Sequence, residues 1–228
     1  MRGYELVKER GGAGIIGILL ASAILAIALL GLSLSLALGA STAPAAKPTL
    51  SPNPANDPSL LGLKLDPNRY DGAGGCRKRD PSGMRKLKRW MKKNTKSGVF
   101  SGTIRCDGGV HGTGRALDWM LDAREKGEKR LAMRVINTWL AKDKRGKRNA
   151  LARRMGIQLV IFNCKFWQAG GRGMGTYSAC RGGRKNADPT QGHIDHIHIE
   201  LTKRAAKLNT TFWRSDLGED NQGGVSPG

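Results

Sequence analysis

His193-Ile-Asp-His-Ile-His-Ile-Glu-Leu201 holds three of the chain's four histidines and alternates strictly from His196 onward. Successive side chains of an extended strand face opposite ways, so His196, His198 and Glu200 share one face while Ile197, Ile199 and Leu201 share the other. The apolar face belongs in a core. Imidazoles side by side on the polar face suit a metal or a proton shuttle. Glu200 shares that face but points further along the strand, as a supporting group or a solvent-facing one.

The fourth histidine opens His111-Gly-Thr-Gly-Arg-Ala-Leu-Asp118. Gly112 and Gly114 fit a tight loop leading into a second strand over residues 115–120, which delivers Asp118. With the two strands as neighbours, Asp118 and His198 meet across the sheet, and His111 folds back from the loop. Zinc takes imidazole nitrogen and carboxylate oxygen, three protein ligands with a fourth position open when the site is catalytic; two histidines and one aspartate satisfy that count. A lone strand histidine reads as a surface or core residue. Four of them clustered with two aspartates reverse that reading.

Around these segments the pattern is mixed. Asp80-Pro81 reads as a helix cap, followed by Met84, Leu87 and Met91 at helical spacing with Lys and Arg opposite. Leu131, Val135 and Trp139 form the stripe of a second helix over 129–142, and a shorter helix covers 148–155. Residues 156–167, rich in branched and aromatic side chains, read as one buried strand. The Gly- and Arg-rich stretch 168–191 is a long loop near a working surface; its basic part, 172–185, suits wall binding or plain solvation. Trp119 and Trp167 suit either a groove wall or the core. The sum is an α+β domain, a small antiparallel sheet flanked by helices, preceded by an N-terminal transmembrane helix.

That last element rests on residues 13–40, which are apolar apart from Gly and Ser and long enough to span a bilayer. Lys8 and Arg10 precede the run and no basic residue follows until Lys47, which keeps the amino terminus inside and exports the rest. Ala37-Leu38-Gly39 offers a cleavage site for the competing signal-peptide reading, but a signal's apolar core is shorter. Residues 1–40 are thus anchor or signal and 41–71 a Pro-, Ala- and Ser-rich tether. The folded domain spans 72–214, and 215–228 is a polar, disordered tail. Export agrees with four cysteines lacking any CxxC spacing; pairing Cys76 with Cys106 and Cys164 with Cys180 closes the shortest loops. The first 40 residues hold three basic and two acidic groups, so the remainder keeps +20 of the chain's +21. Its expected partners are the membrane, through the N-terminal helix, and an anionic wall polymer; nucleic acid is not expected outside the cytosol.

The motifs HxxGxAxD (His111 to Asp118) and DHxH (Asp195 to His198) resemble the D-Ala-D-Ala carboxypeptidase, lysostaphin and hedgehog superfamily of zinc peptidases, in particular its D,D-carboxypeptidase branch and exported actinobacterial relatives. The resemblance covers about residues 100–201. It implies zinc on His111, Asp118 and His198, with His196 as the second active-site histidine. It also implies a general base three residues before the last ligand, where Asp195 replaces the usual Glu, with His193 able to share the proton work. Gly109 stands where a Ser is common. Arg105 is the nearest upstream arginine for a substrate carboxylate or oxyanion. The implied activity is hydrolysis of a peptide bond in peptidoglycan stem peptides. Two rival readings share these features: a non-catalytic zinc-containing module that holds wall polymers, and a basic nuclease or nucleic-acid-binding protein, for which no recognised nuclease motif is present.

Overall fold

A computed structural model describes residues 58–102, 104–106 and 109–218 of the chain. The expected membrane segment, the tether as far as residue 57 and the tail from residue 219 lie outside the described residues. Among the described residues no helix is long and apolar enough to cross a membrane.

In chain order the elements are α1 (Pro58–Leu61), α2 (Ser82–Thr95), β1 (Phe100–Ser101), β2 (Ala116–Trp119), α3 (Lys126–Leu140), α4 (Ala150–Met155), β3 (Ile157–Phe162), β4 (Lys165–Gln168), β5 (Gly175–Thr176), β6 (Ile197–Leu201) and α5 (Lys203–Ala206). The strands form a six-stranded sheet in the order β1-β2-β6-β3-β4-β5 with every pairing antiparallel. The fold is α+β, and the alternating segment is its central strand.

Alternation sorts the sheet into two faces. Leu117, Trp119, Val160, Phe162, Ile197, Ile199 and Leu201 join Met84, Leu87 and Met91 of α2, Val135, Ile136 and Trp139 of α3, and Leu151 and Met155 of α4 in one apolar cluster. Asp118, His198 and Glu200 point the other way, together with Leu159 and Ile161 of β3, which wall the groove described below. Trp119 and Trp167 are fully buried in the cluster.

Two local readings change. Residues 156–167 are two strands. Asn163 and Cys164 both take positive φ, 50° and 65°, between the paired residues Phe162 and Lys165. Two such residues make the tight turn whose twist matches a hairpin. The apolar run concealed it because both strands carry core residues. At the start of α2 the Asp80 side chain caps nothing. Pro81 occupies the cap position, and the Asp80 carboxylate accepts from Lys88 Nζ at 2.8 Å.

The packed unit also begins before Gly72. Leu60 is fully buried, Asp66 accepts from the Thr211 backbone N–H at 2.8 Å, and the Asp66 carbonyl accepts from Arg153 Nε at 3.0 Å. Residues 58–71, assigned to the tether by their Pro and Asn content, are held by these polar bonds and one apolar anchor, which composition does not reveal. At the other end Leu217 packs against the core and Gly218 bonds back to Ser215 at 2.9 Å, so 215–218 belong to the domain.

Both expected disulfides are present, Cys76–Cys106 and Cys164–Cys180, with Cα separations of 5.5 and 5.6 Å. They agree with an extracellular domain.

Gly83 sets how closely two helices approach. A Cβ there would collide with the backbone carbonyl of Ala205 in α5. Gly83→Ala should therefore destabilise the fold by about 1–3 kcal/mol, the range for overpacking against a backbone that cannot yield. Urea unfolding measures it, and a midpoint equal to that of the parent would show that the two helices can separate without loss.

Candidate metal centre

His111 sits in a single 3-10 turn, Val110–Thr113, directly before β2. Gly114 closes the turn at φ 67°, a left-handed conformation that costs glycine little, and its N–H donates to the His111 carbonyl at 2.8 Å. This folds the His111 ring back over β2. Asp118 and His198 are direct cross-strand partners in the β2–β6 pairing.

The three side chains converge. His198 Nδ1 lies 3.1 Å from Asp118 Oδ1 and 3.2 Å from His111 Nε2, and His111 Nε2 is 3.4 Å from Asp118 Oδ1. All three are buried and form a group able to hold a metal ion. His198 Nε2 faces the other way, 3.0 Å from Glu200 Oε1, so one imidazole stands between two carboxylates. Glu200 is thus a buried support; its Oε2 accepts from Gln158 Nε2 at 3.0 Å, and Tyr70 also bonds to it. Arg105 Nη1 donates to Asp118 Oδ2 at 2.7 Å, so the arginine expected to meet substrate holds the outer side of the Asp118 carboxylate at the groove's edge.

Electrostatics follow from this packing. Burial works against charge on Asp118, but hydrogen bonds from His111, His198 and Arg105 outweigh it and hold the carboxyl far below its ordinary range. Burial likewise opposes ionisation of Glu200 and is outweighed by His198, with Gln158 and Tyr70 adding to it. His198 is pushed the other way: burial disfavours its charge, yet Asp118 and Glu200 raise its pKa above that of a free imidazole. With a proton on each ring nitrogen, His198 answers Asp118 through Nδ1 and Glu200 through Nε2, and a cation at the meeting point of the three side chains would take the place of the Nδ1 proton.

The other expected residues form an adjoining pair. His196 Nδ1 contacts Asp195 Oδ1 at 2.6 Å, and its Nε2 lies 3.6 Å from Asp118 Oδ1. Asp195 Oδ2 accepts from Thr190 Oγ1 at 2.7 Å. Asp195 is thus committed to orienting His196, while its own ionisation, opposed by burial, is favoured by Thr190 and His196. The His193 ring lies 4.7 Å from that of His196 and 5.5 Å from that of His198. Its Nδ1 donates to the Gln191 carbonyl at 3.0 Å, which leaves Nε2 as an acceptor. Burial, reinforced by repulsion from His198 and His196, lowers the His193 pKa to about 4, so the ring is neutral at pH 7. A groove of about 620 Å³ opens on the rings of His111, His193 and His198, walled by Leu159, Ile161 and Phe166 and by Tyr177, Ser178 and Arg181 from the loop that the second disulfide pins.

Sequence reasoning left Gln158, Tyr70, Thr190 and Tyr177 unassigned. Gln158 had a signal, being the one polar residue of β3. It occupies a bulge between Ile157 and Leu159 in the pairing with β6, the device that frees its amide to reach Glu200. The others come from loops that only the fold brings near.

Fold and site together define an α+β domain with a buried His-Asp-His candidate metal centre at the floor of a groove. Residues 72–194, more than half of the chain, match the VldE C-terminal domain family model, and the chain belongs to that family. The matched stretch includes His111, Asp118 and His193 and stops before β6. No curated protein and no solved structure matches the chain.

Two outcomes test the centre. Glu200→Gln should weaken divalent-metal affinity by about 10–100-fold, because the group fixing the His198 ring is lost; an unchanged competition titration would show that the ring needs no such support. Metal must displace the His198 proton, so affinity should rise with pH, about tenfold per unit below the raised His198 pKa, and level off above it. A flat affinity profile between pH 5 and 8 would refute this exchange.

Proposed function

We propose that the protein is an exported zinc metallopeptidase that hydrolyses a peptide bond in peptidoglycan stem peptides, as a D,D-carboxypeptidase or an endopeptidase related to the superfamily its motifs resemble. The observation that carries the reading is the triangle of His111 Nε2, Asp118 Oδ1 and His198 Nδ1. Its edges of 3.1, 3.2 and 3.4 Å suit a tetrahedral ion with bonds of about 2.0–2.1 Å, which needs ligand atoms ~3.3 Å apart. Two nitrogens and one oxygen match the donor preference of zinc. Bound there, zinc supplies Lewis-acid polarisation of a carbonyl and acidification of a water.

The chain's own residues supply the rest. His193, neutral and with Nε2 unclaimed, takes a proton from the attacking water and passes it to the leaving amine. Asp195 accepts from His196 Nδ1 and so holds the ring with Nε2 facing the cluster; with a second proton on Nε2 the ring donates to the carbonyl oxygen as negative charge develops, a contribution of about 3 kcal/mol for a well-placed donor. The proton role thus moves from Asp195 to His193, since the Asp195 carboxylate already serves His196 and Thr190. The groove's apolar wall and its Tyr177, Ser178 and Arg181 rim suit a short peptide with polar ends.

The engagement of Asp195 also favours a second reading, a zinc-bearing module that holds wall polymer without cutting it. Purified protein incubated with muropeptides separates the two: new amine that disappears with chelator supports the peptidase, and none at any pH favours the binder. His198→Ala should lose both stoichiometric zinc and turnover. His193→Ala should keep zinc and lose at least about 100-fold in rate. Asp195→Asn should keep zinc and lose less, and a His193→Ala variant of full activity would remove His193 from the mechanism.

A further inference from the structure

We infer that the two disulfides divide the site between them: Cys76–Cys106 positions the metal trio, and Cys164–Cys180 positions His193. The inference rests on the roles proposed above for those side chains. Each bridge, through a sulfur or the backbone beside it, packs against the glycine next to one of the two loop histidines. Gly112 follows His111, and Gly192 precedes His193.

The first bridge bears on two ligands. Arg77, next to Cys76, donates its backbone N–H to the Gly112 carbonyl at 2.8 Å. Arg105, next to Cys106, holds the Asp118 carboxylate through Nη1 at 2.7 Å. A Cβ on Gly112 would lie 3.2 Å from the Arg105 carbonyl and 3.3 Å from that of Gly75, so the His111 turn sits directly on the bridged segments. Joining residues 76 and 106 keeps those two segments at one separation, and with them the supports of His111 and Asp118.

The second bridge bears on the other histidine. Asn163 and Cys164, the turn residues of the β3–β4 hairpin, donate to the carbonyls of His193 and Gly192 at 2.6 and 3.0 Å. A Cβ on Gly192 would lie 3.1 Å from Cys180 Sγ. The Tyr177 N–H donates to the Cys164 carbonyl at 2.9 Å, and the Tyr177 ring makes a T-shaped contact with that of His193, centroids 5.0 Å apart. His193 itself has φ 51°, a left-handed conformation that a residue with a Cβ keeps only where its surroundings hold it. The bridge ties together the turn and the loop that supply this hold. His198 is placed instead by the pairing of β6 with β2 and β3.

The test uses the full chain and two readouts that need no turnover, so a failure of the peptidase reading would leave it intact. One is divalent-metal affinity by competition titration. The other is the imidazole nitrogen-15 shifts of His193 in the metal-free protein, which report its tautomer. The parent should show a single Nδ1–H form, as the bond to the Gln191 carbonyl requires. Cys76→Ala with Cys106→Ala should weaken metal binding about 10–100-fold, the range for losing a group that orients a ligand, and leave the His193 tautomer unchanged. Cys164→Ala with Cys180→Ala should leave metal affinity unchanged and give the averaged shifts of two tautomers. Gly112→Ala and Gly192→Ala keep both bridges and should reproduce the first and second result respectively, which decides the matter where a cysteine pair fails to fold. Bridges that only stabilise the fold would move both readouts together or neither, and either pattern overturns the proposal. A parent that binds no metal overturns the metal half together with the reading beneath it, while the tautomer still decides the His193 half.

Discussion

The register that sets Asp118 opposite His198 governs the rest of the molecule. Because the side-chain period of a strand is two, a slip of one residue would turn His198 and Glu200 into the core and Ile197 and Ile199 into the groove. The burial of Ile197, Ile199 and Leu201 against the helices therefore locks the polar face in place. Packing on one side of β6 holds the geometry on the other.

What that face carries would be costly if left alone. Two buried carboxylates and two buried imidazoles meet within hydrogen-bonding distance, and each charge there is compensated by a neighbour. His198 answers Asp118 and Glu200, while Arg105 and Gln158 close the outer ends of the network. The segment before Gly72 takes part in this closure. Gln158 exchanges two hydrogen bonds with the Asp71 backbone, and Arg115 Nη1 reaches the Leu201 carbonyl at 2.8 Å while Nη2 bonds to Gly72. The support of the centre thus extends from the groove floor to a stretch whose composition reads as linker.

Much of this was legible beforehand. The strict alternation of 196–201, the helical stripe of Met84, Leu87 and Met91, and the clustering of all four histidines pointed to the fold class, the central strand and the convergence of His111, Asp118 and His198. The short loops between cysteines gave both disulfides. The hairpin at Asn163-Cys164 escaped because a continuous apolar run has no period to break. The partners of Asp195 escaped because a carboxylate's role depends on what stands within 3 Å of it, here Thr190 and His196.

The sequence by itself determined which residues are apolar at which period, and hence which side chains share a face, since local backbone geometry converts spacing into direction without help from the rest of the chain. Only the tertiary structure decided that His111 folds back onto Asp118 and His198, that Glu200 is buried behind His198, and that His193 is neutral. Those facts depend on distances and burial between segments up to 130 residues apart, Tyr70 and Glu200 among them, and spacing along the chain carries no record of such distances.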